Sequence, residues 1–323
     1  PLIYSGEFFL KLKPNFKIIN WYDCMIYEDT MWNEAYVLYC FKDKKYRLIN
    51  TEFRSNMHDS FFILDTITER NYKKITNKKN ISWEDNKMNV LIPMAGAGKR
   101  FADAGYIFPK PLIEINNKPM IQWVIECLNL KANYIFIIQK EHQEKYNIKS
   151  VLKILQPNCK IIELDHITEG AACTTLLAKE FINNSDPLII ANSDQYINWN
   201  SSKALYDFNS KNLDGAILTF EAIHPKWSYA KCDDEGFVSE VAEKKVISKN
   251  ATVGVYYWKH GSDYVQSAEE MIEKNIRVNN EFYVCPVYNE FLLKNKKVKI
   301  HNVDKMWGLG TPEDLNNFLR TIK

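Results

Sequence analysis

Positions 93–111 crowd together the residue types that handle phosphate: Gly96 and Gly98, the cations Lys99, Arg100 and Lys110, and Pro109 and Pro111, which flank that last lysine. Glycine lets a chain turn tightly and bring bare N–H groups close to a ligand, while neighbouring cations attract an anion. An apolar run at 88–92 precedes the glycines and reads as a buried strand of a parallel sheet. A strand, a glycine turn and flanking cations make a phosphate cradle.

Two common cradles do not fit the spelling. A dinucleotide fingerprint needs a third glycine where Phe101 stands. A P-loop needs glycine at Pro93 and a hydroxyl at Arg100 to hold magnesium. What does fit is G-x-G-x-R at 96–100 followed by Pro109-Lys110-Pro111. With this two-part pattern the chain resembles the sugar-phosphate nucleotidyltransferases, or nucleotide-sugar pyrophosphorylases, over about residues 88–315. An ordinary glycine loop beside solvated cations is the plainer reading.

The resemblance implies that an NTP and a phosphorylated acceptor, such as a sugar 1-phosphate, give an activated NDP-linked product and pyrophosphate for surface glycan synthesis. Both reactants are anions, so positioning, cations and backbone donors carry the catalysis. The residues matching the family's nucleotide loop are Ala95, Gly96, Ala97, Gly98 and Lys99, with Arg100 on the β- and γ-phosphates, where its planar fork suits bidentate binding. Lys110 matches the P-K-P lysine that reaches the α-phosphate and the attacking phosphate; a surface lysine in a proline turn is the alternative. Asp194, after the apolar run 187–192, matches the Mg²⁺-binding aspartate, although a turn or helix cap would also explain it. Relatives carry a second metal aspartate in W-x-D-x-G-T, but here Gly308 holds that place, and Asp304 is the nearest substitute.

On the acceptor side, Glu243 and Lys244 resemble the family's E-K pair, Gly254 its substrate-facing glycine, and Glu281 a sugar-contacting residue. A charged strand end is the plainer account of Glu243-Lys244. Gly170 and Ala171 match the position where relatives offer backbone groups to the base. Asp165 stands where uridine- and thymidine-using relatives often place glutamine, and an acceptor there favours cytosine or guanine. The alternatives are a glycosyltransferase of related fold, a cytidylyltransferase acting on a non-sugar phosphate, and a regulatory module binding nucleotide sugars. Ser193-Asp194-Gln195 lacks the Asp-x-Asp that the glycosyltransferase class usually wants.

These residues need a scaffold that holds strand ends side by side. From residue 88, strand-like runs at 88–92, 134–138, 160–164 and 187–192 alternate with helical periodicity at 119–128, 141–146, 171–182 and 201–208. That order predicts an α/β fold: a Rossmann-like, mixed, mostly parallel sheet flanked by helices, which the resemblance identifies as the nucleotide-diphospho-sugar transferase type. Closely spaced strands follow at 216–222, 229–232, 237–241 and 254–258, two of them joined by a turn at Asp233-Asp234-Glu235-Gly236. Residues 1–80 read as a small β-rich accessory module with short strands at 7–11, 16–19, 35–41, 46–49 and 61–64. A polar, basic stretch at 71–80 links it to a catalytic domain at 87–323. Trp21, Trp32 and Tyr36 read as core aromatics more readily than as a carbohydrate or partner surface.

A hydrophobic content of 46% is enough for a full core. A net charge of +2 argues against a nucleic-acid partner. Seven cysteines without a C-x-x-C pair suggest reduced thiols in a cytoplasmic protein and no zinc framework. No apolar run approaches the ~20 residues of a membrane span. Homo-oligomerisation is left open, and the leading Pro1 suggests a piece of something longer.

Overall fold

In a computed structural model the chain forms two compact units, Pro1–Asn86 and Lys87–Lys323. The structure describes residues 88–321 throughout and, ahead of them, the backbone of five strands. These are β1 (Phe16–Lys17), β2 (Tyr27–Glu28), β3 (Asn33–Cys40), β4 (Lys45–Glu52) and β5 (Phe62–Thr66). They form one antiparallel sheet in the order β1-β3-β4-β5, with β2 also on β3. β3 and β4 pair antiparallel from Asn33↔Glu52 to Cys40↔Lys45. The strand expected at 7–11, the stretch 71–80 and the side chains of Trp21, Trp32 and Tyr36 lie outside the described residues.

The second unit continues with β6 (Asn89–Pro93), β7 (Glu114–Ile115), β8 (Lys118–Pro119), β9 (Asn133–Gln139), β10 (Lys160–Leu164), β11 (Leu188–Ala191) and β12 (Gln195–Asn198). It then adds β13 (Gly215–Glu221), β14 (Tyr229–Cys232), β15 (Val238–Ala242), β16 (Asn250–Trp258), β17 (Val298–Asn302) and β18 (Lys305–Gly308). The main sheet runs β10-β9-β6-β11-β16-β13-β17, with β14 and β15 appended beside β16. Every pairing along that path is parallel except the two made by β16. Helices cover both faces, so the central strands bury both sides: Val90, Leu91, Ile92, Ile137, Leu188 and Ile190 are fully buried.

A smaller cluster ties the beginning of this unit to its end. Phe101, Ile113, Ile115 and Met120 pack with Leu309, Leu315 and Phe318. Trp123 meets both Tyr196 and Phe318 edge-on, at 5.7 and 5.5 Å between ring centroids. This anchors the segment 99–115 against β18 and the helix Pro312–Thr321.

The helix expected at 171–182 is two pieces, Ala171–Leu176 and Lys179–Ile182. Thr174 and Thr175 turn their hydroxyls onto the carbonyls of Gly170 and Ala172, competing with the helical ladder. Leu177 and Ala178 then tighten into bonds three residues back. The turn at Asp233 closes through Gly236 N–H to the Asp233 carbonyl (3.1 Å).

Candidate functional site

β6 and β11 are parallel neighbours, paired through Leu188↔Asn89 and Ile190↔Leu91, so both carboxyl ends open at one edge of the sheet. Ligands of open α/β sheets gather at such an edge. β6 delivers the loop 94–98 there, and β11 delivers Asn192, Ser193 and Asp194. The Pro-Lys-Pro segment forms a single 3₁₀ turn, Lys110–Leu112, beside the glycine loop. A Cβ placed on Gly98 would lie 3.8 Å from the backbone N and Cβ of Lys110. From that turn Lys110 Nζ donates to Asp194 Oδ2 at 2.8 Å, with both side chains about a quarter exposed (24% and 25%).

Around this pair lies a cavity of about 1160 Å³. That lies slightly above the usual ~300–1,000 Å³ of a small-molecule site. Ala95, Gly96, Ala97, Arg100 and Lys110 line it from the loop side, and Gly170 and Ala171 from the short helix. Glu243, Lys244, Gly254 and Glu281 line it from the second half of the unit, with Asp194 among them. Gly98 and Lys99 do not line it.

Asp304 is not brought to Asp194. Its N–H donates to Asn198 O at 2.9 Å, beyond the Asn198↔Lys305 end of the β12–β18 ladder. Asp194 sits beside the opposite end, where Gln195 pairs with Gly308 and Leu309 N–H reaches the Asp194 carbonyl at 2.7 Å. At ~3.3 Å of rise per residue, the run from Asp194 to Asn198 puts the two carboxylates roughly 13 Å apart along the strand, too far to share one ion. The room expected for a carboxylate at position 308 is taken by an aromatic edge: a Cβ there would lie 3.2 Å from Trp227. Asp165 also stands apart from the cavity, exposed, and holds His166 Nδ1 at 2.6 Å. That hydrogen bond lowers the carboxyl pKa.

The Glu243–Lys244 end of the cavity carries the marked electrostatics. Glu243 accepts a hydrogen bond from the Ser228 hydroxyl. Burial pushes its carboxyl pKa up; Ser228 and Lys244 oppose the shift, while Glu281 adds to it. Lys244 has φ +53, a left-handed conformation that costs an L residue roughly 1–2 kcal/mol. Its N–H donates to Trp227 O at 3.1 Å. Its ammonium donates to the Tyr283 hydroxyl, 4.4 Å from that ring's centroid. Strain of this kind collects where a side chain must be aimed.

Several lining residues carried no motif in the sequence: Asn192, Ser228, Trp227 and Asp314. Asn192 has a recoverable signal in Gly254. The space that Gly254 leaves (φ +75) is filled by the Asn192 amide, since a Cβ there would meet Nδ2 at 2.2 Å. Thr311 Oγ1 caps the last helix at the cavity wall by accepting from the Asp314 N–H at 3.1 Å, and the Asp314 carboxylate accepts from Thr311 Oγ1 at 2.8 Å and Lys226 Nζ at 3.1 Å.

Among the described residues no group of three or more His, Cys, Asp or Glu side chains is placed to hold a metal. No described helix is long and apolar enough to cross a membrane. Cys127, Cys159, Cys173, Cys232 and Cys285 are free thiols.

Residues 89–321 match the nucleotidyl transferase family. Bifunctional protein GlmU of Thermosipho melanesiensis is 26% identical over 243 residues, 73% of this chain and 51% of that protein. The mannose-1-phosphate guanylyltransferase catalytic subunit beta of Dictyostelium discoideum is 26% identical over 202 residues, 58% of this chain and 55% of that one. The chain thus spans about half the length of these curated relatives. The crystal structure of a nucleoside-diphosphate-sugar pyrophosphorylase from Vibrio cholerae RC9 superposes with a TM-score of 0.61 at 23% identity, over 72% of this chain and 99% of that one. That likeness bears on the fold.

Proposed function

The chain belongs to the nucleotidyl transferase family, and on that premise we propose that it joins an NTP to a sugar 1-phosphate, releasing pyrophosphate and an NDP-sugar. One observation carries this reading: the Lys110–Asp194 pair at 2.8 Å, set between the glycine loop and the acceptor wall of one cavity. An acceptor phosphate oxygen attacks the α-phosphorus in line, the bond to the β-phosphate oxygen breaks, and pyrophosphate carries away the electron pair. The attacking phosphate is already ionised, so no side-chain base is required.

Gly96 and Ala97 approach the triphosphate with their backbone, and Arg100 grips the β- and γ-phosphates. Lys110 neutralises the two anions where they meet, a charge felt most in the transition state. Gly170 presents its N–H to the base, because its carbonyl already accepts from Thr168 Oγ1, Thr174 N and Thr174 Oγ1. Lys244 takes the acceptor phosphate, and Glu243 and Glu281 take hydroxyl groups of the acceptor.

Asp194 would hold a divalent cation, which we assign as Mg²⁺. Among the described residues Asp194 belongs to no three-ligand protein cluster, and it lines a roomy cavity, which suits an ion that completes its shell with substrate phosphates and water rather than with a protein cage. When bound, the cation screens phosphate charge and orients the α-phosphate. The test is a screen of NTPs against phosphorylated acceptors, scored by pyrophosphate release. Release with a sugar 1-phosphate supports the reading. Release with a non-sugar phosphate alone changes the acceptor, and no release with any pair sinks the activity.

A further inference from the structure

The cavity has two walls, and one residue outside it binds them together. The base-side wall includes Thr168, Gly170 and Ala171; the acceptor-side wall includes Glu281 and Tyr283. Between them Phe282 N–H donates to Glu169 O at 2.8 Å, and Ala172 N–H donates to Phe282 O at 2.9 Å. The approach is so close that a Cβ on Gly170 (φ +133) would lie 2.4 Å from Phe282 O. Only glycine fits there.

Arg277 holds this junction from behind. Its Nε donates to Asn275 Oδ1 at 2.6 Å and its Nη1 to Asn280 O at 3.1 Å. Its Nη2 pairs with the Glu169 carboxylate, and its guanidinium lies 4.0 Å from the centroid of the Phe282 ring. The chain between is a tight hairpin: Val278 and Glu281 exchange both backbone hydrogen bonds at 3.0 Å around Asn279 and Asn280, whose φ values are +48 and +63. A planar fork can serve its own turn, the hairpin tip and the opposite wall at once while stacking on a ring; an ammonium cannot.

We propose that Arg277 is a positioning residue that couples nucleotide binding to acceptor binding, acting through Glu169 and Phe282 without touching either substrate. The inference rests on the activity assigned above, and it deepens that assignment by making the two half-sites one mechanical unit. Loosening Arg277 therefore weakens both substrates together and leaves the chemical step, set by Lys110 and Asp194, largely alone.

The experiment compares the wild-type chain with Arg277→Ala and Arg277→Lys after thermal melts establish that each is folded. Should Arg277→Ala not fold, Arg277→Lys, which keeps the charge and loses the planar stack, carries the comparison. Arg277→Ala is expected to raise KM for NTP and for acceptor together by about three- to tenfold, with kcat within about twofold. Arg277→Lys is expected to fall between. A rise in one KM alone, or in neither, overturns the coupling. Amide hydrogen exchange reads the clamp without substrate: peptides covering 168–172 and 281–284 should quicken together in the variant, and unchanged exchange also overturns it. If both peptides quicken while the wild-type chain turns over no nucleotide, the clamp stands and the assigned activity falls.

Discussion

Lys110 Nζ lies 2.8 Å from Asp194 Oδ2, although 84 residues separate the two in the chain. The turn that carries the lysine is pinned by Phe101, Ile113 and Ile115 to the cluster around Leu309 and Phe318, and Leu309 in turn bonds the Asp194 carbonyl. Each partner's backbone is therefore held by contacts other than the ion pair. Both are partly exposed, so the pair itself adds at most ~1 kcal/mol to stability. Its value is placement.

Removing either side chain should consequently hurt turnover far more than folding. Lys110→Ala and Asp194→Ala are each expected to lower pyrophosphate release by roughly 10²–10³-fold, the usual loss for one well-placed electrostatic group. Their unfolding midpoints should stay close to wild type. Full activity in either folded variant would contradict the assigned roles.

On the proposed reading, Lys110 and a divalent cation compete for one carboxylate, that of Asp194. Replacing the ammonium with a neutral group frees Asp194, so Lys110→Gln should bind Mn²⁺ more tightly than wild type in the absence of nucleotide. About tenfold is expected for losing a like charge at this range where both side chains keep only part of their solvent contact. Free Mn²⁺ counted by electron paramagnetic resonance measures this without turnover, and Asp194→Asn should abolish the difference. Equal affinity in wild type and Lys110→Gln would remove Asp194 from the cation site.

What the sequence made legible was local. Strand 160–164, the Asp233–Gly236 turn and the glycine loop are each written in a few adjacent residues, and the structure follows them. What it hid depends on long-range packing. Gly254 announces a close approach but not that Asn192 makes it, because the partners are 62 positions apart and meet only across β11 and β16. Asp304 stood out by nearness in the sequence, yet the β12–β18 ladder carries it to the wrong end. Arg277 belongs to no motif, since its role exists only where two loops meet.

Glu243 gives the site a pH signature. Burial raises its folded carboxyl pKa above the ordinary 4.5, so the folded protein binds a proton more tightly there than the unfolded chain does. The contribution is present in full below 4.5 and is lost as pH rises through the raised value. Glu243→Gln cannot ionise and escapes that loss. Denaturant titrations from pH 4 to pH 8 (~1 unit apart) should show the variant gaining stability relative to wild type as pH rises. A constant or falling difference would mean that Glu243 is not held in the buried, poorly solvated setting described.

The Gly254–Asn192 contact supplies the sharpest test of how β11 and β16 frame the site. Gly254→Ala puts a Cβ 2.2 Å from Asn192 Nδ2 and 3.2 Å from its Cβ, at φ +75. The backbone conformation alone costs roughly 1–2 kcal/mol, and the overpacking adds about 1–3 kcal/mol. Asn192→Ala removes the amide and keeps only the Cβ, so it should recover most of the overpacking share in the double variant and leave the backbone share in place. Urea melts of the four proteins yield the coupling between the positions directly, as the departure of the double variant from the sum of the singles. Strictly additive losses would show that the Asn192 amide does not occupy the space beside Gly254, leaving only the backbone pairing of β11 and β16 to hold that end of the site.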